Sequence, residues 1–153
     1  MKYLILALAL LAGAAQAQER ACGLAATDAV MTTVAVGTDI AGEANLLINS
    51  PLALLTSVAV RCAAAEYIST LPEPQRTAGL HTIEAVTLGI VANNAVQLLA
   101  GMSGVYIGPL GLVFGAVMGY RDWLAGAEER EFALQCAQFL AQGPGRSCEY
   151  TKH

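Results

Sequence analysis

Two groups of polar residues stand in an otherwise apolar chain, and any chemistry would have to sit there. The first is Asp28, Thr32, Thr33, Asp39, Glu43 and Asn45, set in a run rich in Ala, Val and Leu. Asp28 and Thr32 are four apart, as are Asp39 and Glu43, so each pair shares a face if the segment is helical. Two carboxylates at that spacing repel, and a cation, a shared proton or an arginine partner relieves the repulsion. Inside an apolar bundle the cost grows, and ionisable groups kept there usually have a role. Solvent or a headgroup layer near the helix end would relieve Asp39 and Glu43 equally well.

The second group lies further along the chain. His81 and Glu84 are three apart, and Asn93 and Asn94 are adjacent. Neighbouring asparagines in a charge-free helix are costly unless hydrogen-bonded. Reaching across to Asp28 or Glu43 would satisfy them and lock the first and third helices together. We read Asp28, Thr32, Glu43, Asn45, Glu84, Asn93 and Asn94 as the polar interior of a helical bundle. Whether Asp28, Asp39 and Glu43 hold a proton or an ion is left open. Arg61 with Glu66, and Arg121 with Asp122, read as boundary charges. On this reading Asp28→Asn should leave the fold intact, while Gly115→Leu should disrupt it.

The common catalytic signatures are absent: the sequence holds no G-x-S-x-G, no H-E-x-x-H and no P-loop. His81 and His153 are its only imidazoles. We therefore expect no enzyme, no cofactor and no metal. Four cysteines (Cys22, Cys62, Cys136 and Cys148) occur without a C-x-x-C. An even count behind a secretory leader reads as two disulfides, with three possible connectivities. Cys22 with Cys62 would tie the first helix to the second. Cys136 with Cys148 would close a short loop across residues 143–145.

The elements that must position these residues are delimited by their breakers. We expect helices over residues 24–48, 51–70, 75–100 and 109–142. Ser50-Pro51 supplies a cap and a proline at the first helical position, and Pro72 with Pro74 forces a loop. No alternating strand pattern persists. Residues 85–120 contain no Asp, Glu, Lys, Arg or His, which suits a helical hairpin inside a bilayer. Within that stretch Gly104 and Gly108, then Gly111, Gly115 and Gly119, recur at fourth positions and would give a flat face for close helix packing. Beyond it, Glu128, Glu129 and Glu131 precede Phe132, Cys136, Phe139 and Leu140. That pattern is an amphipathic extension expected to pack on the outer end of the bundle. Tyr120 and Trp123 would anchor it at the interface.

The ends complete the plan. Met1-Lys2, an apolar run and Ala15-Gln16-Ala17 make the three regions of a signal peptide of bacterial or phage type. The expected organisation is a signal peptide over 1–17, a helical bundle over 18–142 and a tail over 143–153. Charged residues are only 13% of the chain, the net charge is −4 and the mean hydropathy is +0.53. The acidity speaks against a nucleic-acid partner.

Thr27-Asp28 with Thr32-Thr33, followed by Gly42-Glu43-Ala44-Asn45, resembles small bacterial and phage multi-helix membrane proteins of unassigned function. The resemblance implies a multi-helix membrane protein with Asp28, Glu43 and Asn45 as its polar signature. The expectation is an all-α, four-helix bundle of membrane-embedded hairpins, exported to a bacterial envelope and held in the inner membrane. Its partners would be the lipid bilayer and a second copy or another envelope protein, met through the glycine-rich face. Two other readings stay open: a soluble, disulfide-stapled periplasmic protein that binds or inhibits an envelope partner, and a holin-like membrane-active phage product.

Overall fold

The computed structural model describes residues 17–37, 51–105, 107, 109–143 and 147–148. Among these the chain is all-α and contains no strand. Its five helices are α1 Ala17–Gly37, α2 Pro51–Ser69, α3 Gln75–Met102, α4 Pro109–Ala125 and α5 Ala127–Leu140. Residues 1–16 of the expected signal peptide, Asp39, Glu43, Asn45, Gly108 and most of the tail fall outside the described residues.

Local chemistry explains where the helices stop. At the end of α2 the hydroxyls of Ser69 and Thr70 donate to the Glu66 and Tyr67 carbonyls at 2.6 and 2.7 Å, and the Tyr67 carbonyl also accepts the Thr70 N–H at 3.1 Å. Pro74 gives α3 no side-chain cap. Glu73 takes that part, accepting the Thr77 N–H at 3.2 Å and the Arg76 Nε–H at 2.9 Å. Burial works to raise the Glu73 pKa, but the hydrogen bonds from Thr77 and Arg76 and the Arg76 charge hold it below the ordinary value.

At the far end of α3 the Gly104 N–H donates to the Gly101 carbonyl at 3.0 Å and the Val105 N–H to that of Ala100 at 2.9 Å. These two bonds, with Gly104 at φ +70°, form a Schellman ending. Gly104 was expected in the helix-packing face, and this position corrects it. A left-handed backbone is what the glycine supplies there, and a Cβ would meet nothing.

The single helix expected over 109–142 is divided at Gly126. Ala125 ends α4, Gly126 leaves the helical conformation, and Glu128 and Glu129 open the first turn of α5. A side chain at Gly126 would collide with the His81 ring, so the glycine lets α5 fold back beside α3. Arg130 seals the bend, 3.4 Å from the centroid of the Trp123 ring and donating to the Trp123 carbonyl at 2.6 Å. The amphipathic stripe on α5 is only partly covered. Ala133 is buried, whereas Phe139 and Leu140 are each 43% exposed.

The most extensive interface joins α3 to α4, and α3 also packs on α1, α2 and α5. Its fit depends on small residues. A Cβ on Gly115 would strike the Gly89 carbonyl oxygen, and one on Gly119 would stand 2.5 Å from that of Ala85. Gly111 is closed off by the side chains of Asn93 and Gln97. The backbones therefore approach as closely as a residue without a side chain allows. The glycine face is consumed within the chain.

Both expected cysteine pairs stand at disulfide distance: Cys22 and Cys62 have Cα atoms 4.8 Å apart, and Cys136 and Cys148 5.9 Å. We predict that Gly115→Ala will destabilise the protein by about 1–3 kcal/mol, since the facing backbone has nowhere to retreat. Gly23→Ala, on open helix surface, should stabilise it by about 0.5–1 kcal/mol. Thermal unfolding followed by circular dichroism in mild detergent checks both; equal melting temperatures would remove the case for a close α3–α4 fit.

Candidate functional site

Asp28 is the centre of a polar chain that crosses the helices. It lies on the buried face of α1 at 8% exposure, among Leu24, Ala25 and Thr27. Its Oδ2 accepts from Arg61 Nη1 on α2 at 2.8 Å, and its Oδ1 from Asn94 Nδ2 on α3 at 2.6 Å. The chain continues along α3. Asn93 Nδ2 donates to Asn94 Oδ1 at 2.9 Å, and Gln97 Nε2 to Asn93 Oδ1 at 2.8 Å. One carboxylate thus joins three helices, and a relay of amides carries its hydrogen bonding outward to Gln97.

The ion pair was not expected in this form. Arg61 read as a boundary charge beside Glu66, yet it reaches Asp28, 33 residues away. A signal was present: Arg61 is the one arginine inside the apolar run of α2, and such a group must find a carboxylate at its own depth. Gln97 and Arg20 were missed because long side chains reach partners that spacing alone does not reveal. Asn94 does reach Asp28, as its neighbourhood demanded. Thr32 does not join the network, because its hydroxyl donates to the Asp28 backbone carbonyl at 2.9 Å.

A second cluster lies about ten residues earlier on α3, which is roughly 15 Å along the axis. Glu84 is 2% exposed and faces Arg20 of α1, which also pairs with Asp122 of α4 at 3.1 Å. Arg20 and Glu84 form an ion pair. His81 Nε2 stands 3.4 Å from Glu129 Oε2 of α5, so His81 and Glu84 address different partners despite their spacing. This cluster joins the ends of α1 and α4 to the body of α3.

Chemically the two clusters act as locks. Asp28 has both oxygens occupied, and among the described residues no group of His, Cys, Asp and Glu is arranged to hold a metal ion. Between α3 and α4 an open groove of about 480 Å³ runs beside the glycines, lined by Val86, Ile90, Asn93, Leu112, Ala116 and Trp123 among others. Its polar lining is the hydroxyls of Thr82 and Tyr120 and the Asn93 amide.

The geometry reverses the expectation for Asp28→Asn. The substitution strands Arg61 in an apolar setting, and removing one member of a buried pair costs about 3–5 kcal/mol. The Arg61 side chain keeps 22% exposure, which places the loss near the lower end. Replacing both residues, Asp28→Asn with Arg61→Met, should recover most of it. Chemical denaturation of the single and double variants measures the difference; a single variant as stable as the parent would show that the pair holds nothing together. Compared with protein-family models, curated proteins and solved structures, the chain matches none.

Proposed function

We propose that this chain is a non-enzymatic integral membrane protein of a bacterial envelope, exported through a signal peptide over residues 1–17. Its four long helices form a bundle in the inner membrane, and α5 lies in water on the oxidising side. The observation that carries this reading is an inverted polarity. Asp28, Glu84, Thr27 and Thr87 are buried, while Leu52, Leu55, Val60, Leu110, Leu112 and Val113 are 60–73% exposed. Leaving such side chains in water forfeits about 1.5–3 kcal/mol each. Six of them together rival the roughly 5–15 kcal/mol by which a whole domain is stable. Hydrocarbon around the helices removes that cost.

Two helices are long and apolar enough to cross a membrane, through windows over Leu52–Ser69 and Gln75–Met102. A core helix of a soluble protein can pass the same test, but then it is mostly buried. Here only 6% and 22% of those windows are buried. The charge-free part of α3 from Ala85 to Met102 is about 26 Å long, close to the ~30 Å hydrocarbon core. Its outer end is marked by Arg20, Glu84 and Asp122, and its inner end by the Schellman turn at Gly104. Asp28 and Asn94 then lie near mid-depth, where an ion pair and amides must satisfy each other.

The runner-up is a soluble periplasmic protein whose apolar faces are covered by an envelope partner. What favours it is α5, whose first turn carries Glu128 and Glu129. Washing membranes with alkaline carbonate separates the two. We predict retention in the pellet, and labelling of Glu128→Cys, but not Ser103→Cys, by a membrane-impermeant maleimide applied from the periplasmic side. Release into the supernatant, or labelling of both positions, would sink the membrane reading.

A further inference from the structure

Gln97 is an exposed amide on a helix that otherwise presents apolar side chains at its depth. It stands 13 residues beyond Glu84, roughly 20 Å along α3, and short of the inner end at Met102. Its Nε2 donates to Asn93, and its side chain covers Gly111. Among the described residues its Oε1 accepts no hydrogen bond. An amide facing lipid at that depth lacks a partner for one acceptor and one further N–H, which hydrocarbon cannot supply.

We propose that Gln97 is the contact point of a homodimer, with the amides of two copies exchanging hydrogen bonds across a two-fold axis along the membrane normal. This rests on the membrane assignment above. Two features select a second copy as the occupant. An amide is self-complementary, carrying both donor and acceptor. Every copy of the chain also holds Gln97 at the same depth and orientation, so a two-fold axis brings it beside its equivalent. A lipid tail offers neither group. The groove lined by Val86, Ile90, Leu112 and Ala116 continues from Asn93 on the same side of α3 and α4. It supplies an apolar seat against which the partner helix packs. The amide relay then links the dimer contact to Asp28 through Asn93 and Asn94.

The test uses the full chain in native membranes. No cysteine among the described residues is free, so a new thiol is the reactive one. Gln97→Cys should form a cross-linked dimer with a membrane-permeant oxidant. Leu99→Cys, exposed on a different face at nearly the same depth, should not. In mild detergent the parent should sediment as a dimer. Gln97→Leu should weaken dimerisation about tenfold, the equivalent of roughly 1.4 kcal/mol of interhelical hydrogen bonding. A monomeric parent, an unaffected Gln97→Leu dimer, or cross-linking at both positions overturns the proposal. Alkaline extraction of the same membranes reads the underlying assignment separately. A chain retained in the pellet without a cross-link at position 97 overturns the dimer alone, and a released chain overturns both.

Discussion

A carboxylate placed in an apolar interior has to collect positive charge and donors from whatever surrounds it, and the helices around Asp28 are arranged accordingly. Arg61 approaches from α2 and Asn94 from α3, each on its own oxygen. The positions of α1, α2 and α3 are tied to one another because all three must meet at that point. The threonines beside this site need no such help, since Thr27 and Thr87 return their hydroxyls to carbonyls of their own helices at 2.9 and 2.7 Å. Polar side chains around Asp28 are therefore either locally satisfied or drawn into the shared network.

The other half of the molecule is held by a different principle. Where α3 meets α4, Gly89, Gly115 and Gly119 bring backbone against backbone, and the Asn93 and Gln97 side chains close over Gly111. Dispersion over a close, flat contact replaces charge as the source of specificity. The two principles meet on α3, whose one face carries Asn94 toward Asp28 and whose other carries Gly89 toward α4. Charge collects at one end. The described ion pairs other than Asp28–Arg61 lie at the N-terminal end of α3 or in the loop that leads into it. The Cys22–Cys62 pair joins α1 to α2 near that end as well.

Much of this was legible in the residues. Prolines 51, 72, 74 and 109 place the starts of α2, α3 and α4 and the loop between α2 and α3, because a proline restricts the backbone before and after it wherever it occurs. The cost of adjacent asparagines correctly demanded a partner on the first helix. The cysteine pairs are one of the three connectivities that the count alone left open. What spacing could not show is reach. An arginine side chain extends far enough to choose among several carboxylates, so Arg20 and Arg61 could be assigned only once the helices were in place. Gly126 followed by Glu128 and Glu129 was a stop and restart written in plain chemistry, but the good helix formers Leu124, Ala125 and Ala127 on either side hid it. Gly104 shared the spacing of the packing glycines and served a turn instead.

The separation along the chain of the groups that meet at Asp28 has a consequence for biosynthesis. Arg61 follows Asp28 by 33 residues and Asn94 by 66, while Cys62 follows Cys22 by 40. On the membrane reading, the first two helices therefore enter the bilayer as a pair that already holds both members of the Asp28–Arg61 ion pair and both cysteines of the Cys22–Cys62 link. The third and fourth helices bring to mid-depth only amides and glycines. Insertion is in effect ordered by depth: the charges bound for mid-depth are matched inside the first helix pair, whereas Arg20 at the end of α1 meets Glu84 and Asp122 only when the second pair arrives.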